Sequence, residues 1–134
     1  MDATFRPLAT HERELLERLL EPEFPGRDEL RGQLDFVAAK EILEDGTLAL
    51  ECGPCQRAPV KRRVPTEGEC TGVDGGRIFV LLHAVDGVMK ELEIFKVGPA
   101  EDSKILHPPA ARDLALFTPY GEAGVKWGLE ERKS

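Results

Sequence analysis

The chain has no apolar run near the ~20 residues needed to span a bilayer. Its first residues, Met1 to Pro7 (MDATFRP), lack the charged-then-apolar layout of a secretory signal. Those two absences set the expectation of a cytoplasmic protein with no membrane partner. Cysteine is scarce: there are three, an odd number that argues against a disulfide framework. Positive charge is in the minority, with 18 Lys and Arg against 25 Asp and Glu and a formal charge of −7. Such a surface repels phosphate backbones, so nucleic acid is not an expected partner. The one basic run, Arg57 to Arg63 (RAPVKRR), reads as a solvated edge strand whose alternate side chains point to opposite faces. Internal repeats, low-complexity tracts, glycine-rich phosphate loops, nucleophile elbows and zinc-protease helices are also missing. The catalytic inventory is thin, and the reading leans away from an enzyme and calls for no cofactor.

What is present fits one domain. A length of 134 residues, 41% hydrophobic and 32% charged, can bury a core. Leu15, Leu16, Leu19 and Leu20 recur at helical spacing and predict a helix from about His11 to Leu20. Thr10 is its candidate cap, Glu12 and Glu14 suit its positive end, and Pro22 stops it. Phe24-Pro25-Gly26 then turns the chain into a short second helix, Arg27 to Leu34, forming a helical hairpin. Its leucines need a sheet to cover.

The segment from Phe36 to Leu43 is ambiguous between helix and strand and is read as a strand. Asp45-Gly46 turns it into Thr47 to Glu51, and another strand is placed at Val60 to Pro65. Asp74-Gly75-Gly76 is a turn. The clearest β signal is Arg77 to Val97, folded at Asp86-Gly87. With Val85 facing Val88, regular pairing sets His83 opposite Lys90, Leu81 opposite Leu92 and Phe79 opposite Ile94. Phe79, Leu81, Val85, Val88, Leu92 and Ile94 then form the core face; Ile78, Val80, Leu82, Met89, Glu91, Glu93 and Phe95 form the reverse. The expected fold is α+β: an N-terminal helical hairpin packed on a four- or five-stranded antiparallel sheet over residues 1–98. Residues 99–134 form an irregular extension, packed on the domain or on a partner subunit through residues such as Leu114, Leu116, Phe117, Tyr120 and Trp127.

Cys52-Gly53-Pro54-Cys55 spells the tetrapeptide of thioredoxin active sites. That chemistry needs the first cysteine at the N-terminus of a substantial helix, where the dipole stabilises a thiolate. Here Pro59 and Pro65 bracket a β-branched, basic segment with room for about one turn, too short to stand alone. Glu51 replaces the tryptophan usual before the motif. Gly-Pro serves as a bend between strands, and Cys52 shares a face with Leu48 and Leu50. The thioredoxin likeness is therefore read as coincidental, with a reversible Cys52–Cys55 redox pair as the alternative.

Cys52, Cys55, Cys70 and His83 give C-x2-C-x14-C-x12-H, a donor set zinc accepts, although the second close pair of ligands is missing. His83 reads as a hydrogen-bonded residue at the edge of the core. Glu91 and Glu93, about 7 Å apart on one strand face, form a candidate polar surface site.

Five stretches carry a resemblance: Arg6 to Arg13 (RPLATHER), Phe24 to Leu30 (FPGRDEL), Val64 to Glu69 (VPTEGE), Leu81 to Gly87 (LLHAVDG) and Glu91 to Phe95 (ELEIF). Together, over about residues 5 to 97, the chain resembles a family of small, uncharacterised bacterial proteins classed as a domain of unknown function. The resemblance implies an architecture and no activity. The function expected is that of a non-enzymatic protein-interaction or regulatory module, for instance a toxin-neutralising one, pairing with another protein or with itself as a homodimer. The alternative is a thiol redox or zinc protein built on the Cys52–Cys55 pair.

Overall fold

A computed structural model of the chain describes residues 5–98 and 108–119. Over these residues the fold is α+β. In chain order come β1 (Arg6–Pro7), α1 (Thr10–Leu19), α2 (Arg27–Gln33), β2 (Val37–Glu41) and β3 (Leu48–Cys52). They are followed by β4 (Thr66–Thr71), β5 (Arg77–Val85), β6 (Val88–Val97) and β7 (Ala115–Phe117). Single 3-10 turns occupy Leu34–Phe36 and Ala111–Asp113. The strands make one sheet in the order β1-β2-β3-β6-β5-β4-β7, antiparallel at every step.

Seven strands replace the expected four or five, and the reasons are local. β1 has two residues, one a proline, and β7 has three in a proline-rich stretch, so neither carries a periodic signal. The strand placed at Val60 to Pro65 is not formed; the ladder begins at Thr66. β4 turns the small residues Thr66, Gly68 and Cys70 toward the core, opposite Leu82, Val80 and Ile78, and so lacks visible hydrophobic alternation. β7 belongs to the stretch read as an irregular extension, yet Leu114 and Leu116 are fully buried in the main core. Tyr120 and Trp127 lie outside the described residues.

The helices do not form a hairpin. α1 packs on β4 and the Ala111–Asp113 turn, whereas α2 packs on β6. The seven residues of α2 hold too few apolar side chains to cover both a helix and a sheet, and Leu30 goes to the sheet core. In α1 the leucine stripe works as its spacing predicts: Leu15, Leu16, Leu19 and Leu20 are each at most 1% exposed. Thr10 is the first helical residue rather than the cap, which is Ala9. Glu12 completes the end: its Oε1 accepts the Ala9 N–H at 2.8 Å, while both carboxylate oxygens accept from the Arg6 guanidinium at 2.8 and 2.9 Å. One carboxylate thus caps α1 and fastens the edge strand to it. At the other end of α1, the Thr66 hydroxyl donates to the Leu19 carbonyl at 2.6 Å and ties the helix to β4.

The β5–β6 hairpin departs from regular pairing at one residue. Val85 faces Val88 and Ala84 faces Met89, but His83 then faces Glu91, so Lys90 is an extra residue on β6. A bulge of this kind rotates every later side chain by one face. Leu82 pairs with Leu92 and Val80 with Ile94, correcting the expected partners Leu81 and Phe79. The core face of β5 is therefore Ile78, Val80, Leu82 and Ala84, while Phe79, Leu81 and His83 face away. Regular pairing would put either Met89 or the pair Leu92 and Ile94 outside; with the bulge all three are buried.

The Arg6 guanidinium, with help from the Ala9 amide, holds the Glu12 carboxyl below the ordinary glutamate value of 4.5 against the opposing effect of burial. A carboxylate with a depressed folded-state pKa stabilises the fold above its unfolded value, and that contribution is lost as pH falls through the folded value. Glu12 is 5% exposed, but Arg6 is over a third exposed, so the loss sits at the low end for a broken pair. Glu12→Gln is expected to cost about 1–2 kcal/mol at neutral pH and to flatten the loss of stability below about pH 4.5. Urea unfolding of both proteins between pH 3 and 7 checks this; parallel curves would contradict it.

Candidate functional site

The two faces of the sheet differ. α1, α2 and the leucine core cover one of them. Among the described residues no helix covers the other, which presents Arg77, Phe79, Leu81 and His83 from β5 and Glu91, Glu93 and Phe95 from β6. Phe79 and Phe95 stack across the strands with centroids 5.1 Å apart. Arg77 lies over the Phe79 ring at 5.3 Å and pairs with Glu69 of β4, whose carboxylate is only 3% exposed. The result is a half-buried aromatic and aliphatic strip edged by carboxylates.

At the hairpin end of this strip His83, Glu91 and Glu93 bring donor atoms within 4.8 Å of one another. The spacing suits a divalent cation, but the hydrogen bonds do not. Arg63 Nε donates to His83 Nδ1 at 2.9 Å, and a guanidinium can only donate. Nδ1 is therefore the acceptor, the proton sits on Nε2, and Nε2–H is donated to Glu93 Oε1 at 2.7 Å. Metal-bound imidazoles are arranged the other way, with the free nitrogen donating to an acceptor. His83 here bridges a cation and a carboxylate and fastens residue 63 to the sheet; Ala84 N–H adds a bond to the Arg63 carbonyl at 2.6 Å.

The CGPC loop lies at the other end of the same segment. Cys52 ends β3 on the helix side, packed against the core, and Gly53-Pro54 bends the chain out. Cys52 and Cys55 are joined as a disulfide, with Cα atoms 5.8 Å apart. No helix follows: residues 55–65 run without regular secondary structure. Cys52 Sγ lies 3.9 Å from the Gln33 carbonyl at the C-terminal end of α2. The positive helix end that activates thioredoxin-type cysteines is not aimed at either sulfur. Closing a ring of four residues is worth about 2 kcal/mol in chain entropy, the weak end for a staple.

From Cys55 the chain runs as a strap around the hairpin end. Gln33, 1% exposed, holds it there. Its Nε2 donates to the carbonyls of Gln56 at 2.9 Å and Gly87 at 2.8 Å, while its Oε1 accepts the Met89 N–H at 3.0 Å. Ala58 N–H adds a bond to Gly87 O at 2.8 Å. The turn needs Gly87: its φ is +79°, and a Cβ would lie 2.6 Å from the Ala58 carbonyl oxygen. The strap thus joins the CGPC loop on the helix side to Arg63 and His83 on the opposite face.

Of the residues singled out from sequence, the structure brings Cys52 to Cys55 and His83 to Glu91 and Glu93. It does not bring the zinc set together. Cys70 is buried on β4 against Ile78, and His83 points from the other face. Three strand spacings separate β3 from β4, roughly 14 Å. Gln33 and Arg63 went unnoticed in the sequence. A signal for Gln33 exists: it takes the position between Leu30 and Leu34 on the apolar stripe of α2. Arg63 carries none.

Two clefts flank α1. One, about 200 Å³, lies between α1 and the β2–β3 turn, lined by residues including His11, Glu12 and Asp45; it is smaller than the ~300–1,000 Å³ of ordinary ligand pockets. The other, about 620 Å³, is an open groove along α1 lined by ion-pairing residues such as Arg18 and Glu21.

Replacing Gln33 by Leu leaves the buried Met89 N–H without its partner and removes the side-chain donor to the Gln56 and Gly87 carbonyls. A loss of about 2–3 kcal/mol is expected, with faster amide exchange at Met89 and Ala58. Thermal unfolding and hydrogen exchange read both; a neutral substitution would contradict the assigned role of the strap.

No described helix is long and apolar enough to cross a membrane. Compared with protein-family models, curated proteins and solved structures, the chain matches none of them.

Proposed function

We propose that this chain is a non-enzymatic interaction module that presents the helix-free face of its sheet to a basic, partly apolar surface of another protein. The observation that carries the reading is the outward turn of Phe79, Leu81 and Phe95 beside Glu69, Glu91 and Glu93. An aromatic strip rimmed by charge has the composition of a recognition surface: apolar contact supplies affinity and the rim supplies specificity and approach rate. The charge of the face decides the partner. Glu51, Glu67, Glu69, Glu91 and Glu93 lie on it against Lys40, Arg63 and Arg77, and the whole chain carries −7. A second copy would set acid against acid. A basic partner finds complementary charge.

The use of His83 as a bridge between Arg63 and Glu93 favours binding over catalysis. A regulatory role, including neutralisation of a basic toxin, is the form of function this surface suits.

The test is capture of partners from cell extract, followed by calorimetry with the purified candidate. Leu81→Glu should weaken binding at least about tenfold, and raising salt should weaken it further, since surface charge attraction is screened. Glu14→Lys, on the charged side of α1, should leave apolar-face binding intact. Wild-type affinity in Leu81→Glu would contradict the proposal, as would a stable dimer in sedimentation closed through this face.

A further inference from the structure

We propose that Cys52 and Cys55 form a reversible thiol–disulfide exchange site for small thiols and their disulfides, and that its state sets how firmly the strap is held. This inference does not depend on the partner-binding role of the sheet face.

Three observations support it. First, a Cα separation of 5.8 Å lies within the range a disulfide spans. Cys70 cannot compete: it is buried in the core on β4, three strands across the sheet from β3. Second, the loop is open to solvent. Gly53 and Pro54 are exposed, and both cysteines are half-buried rather than enclosed. Third, the ring has four residues, too small to serve as a main staple in a domain whose core already spans helices and sheet. Closing it acts on local chain direction. Cys55 is followed directly by Gln56, whose carbonyl accepts from Gln33, and then by Ala58, which bonds to the β5–β6 turn.

The chemistry balances with a thiol of the glutathione class as reductant. Its thiolate attacks Cys55 Sγ, the sulfur not packed against the core, and forms a mixed disulfide. The Cys52–Cys55 bond breaks, and the Cys52 sulfur leaves as a thiolate that takes a proton from water. A second reductant thiolate attacks the mixed disulfide at the reductant sulfur and releases Cys55 as a thiolate, which is protonated in turn. The protein gains two electrons and two protons; the two reductant thiols become one disulfide. Oxidation runs the same steps backwards with the reductant's disulfide as oxidant. Among the described residues no helix N-terminus faces either sulfur, so the site receives electrons from small thiols and is not built to catalyse exchange in other proteins.

The test uses the full chain carrying Cys70→Ser, which leaves two thiols. It is equilibrated in mixtures of reduced and oxidised glutathione, quenched by alkylation and weighed intact. The expected result is one transition between a form carrying two alkyl groups and a form carrying none, reversing when the mixture is reversed. Hydrogen exchange at the Ala58 amide should be slower in the oxidised form by roughly three- to tenfold, the signature of a locally tightened segment. Cys55→Ser should abolish the unalkylated form. Two alkyl groups at every glutathione ratio would overturn the proposal. A disulfide that dithiothreitol leaves closed in the folded protein, or a lasting glutathione adduct without ring closure, would do the same. Equal exchange at Ala58 in both states would overturn the link to the strap. Should Cys70→Ser not fold, peptide mapping of the alkylated wild-type chain gives the same readout.

Discussion

One extra residue in β6 decides what this sheet can do. Lys90 interrupts the regular pairing of the central hairpin, and the strands on either side of it must satisfy different demands. Near the turn, Met89 needs burial; beyond it, Leu92 and Ile94 need the same face. Two residues separate Met89 from Leu92, an arrangement that strict alternation cannot bury on one side. The bulge resolves the conflict and commits Leu82, Val80 and Ile78 to the helices. As a consequence Phe79, Leu81 and His83 emerge on the far side opposite Glu91, Glu93 and Phe95. Core and candidate surface are two results of the same insertion, in keeping with the way bulges re-aim side chains near functional positions.

The strap depends on that geometry too. Met89, next to the bulge, offers its amide to Gln33, and Gln33 then gathers Gln56 and Gly87. On the other face Arg63 reaches His83 because His83 points outward. A single segment is therefore anchored on both sides of the sheet, by a buried glutamine at its start and a half-buried histidine near its end. The tetrapeptide at the head of this segment shares letters with thioredoxin and little of its setting: a strand before it, a carbonyl facing Cys52 and an irregular chain after it.

Much of the architecture could be read from the residues, where periodicity was strong. The leucine stripe of α1, the turn at Asp86-Gly87 and the placement of Cys52 on the face of Leu48 and Leu50 all follow from spacing and turn chemistry. The failures share a cause. β1, β4 and β7 are formed by short or small-residue segments whose stability comes from neighbours, so their own patterns are silent. The bulge was hidden because each face of β5 holds enough apolar residues to pass for the core. Ile78, Val80 and Leu82 compete with Phe79 and Leu81, and only the packing of Met89 against the same helices breaks the tie. The helical hairpin failed for want of apolar surface on α2. At the candidate site, Glu91 and Glu93 were identifiable as a pair on one face. Their meeting with His83 was not, because a one-residue slip in register separates His83 opposite Lys90 from His83 opposite Glu91.

The register of the central hairpin is accordingly the quantity to measure. Cross-strand nuclear Overhauser contacts between backbone protons in the isotopically labelled chain report it directly. The account predicts that Leu82 contacts Leu92 and that Val80 contacts Ile94, with Lys90 unpaired. Contacts joining Leu81 to Leu92 and Phe79 to Ile94 would contradict it, return the aromatic strip to the core and remove the surface on which the proposed function rests.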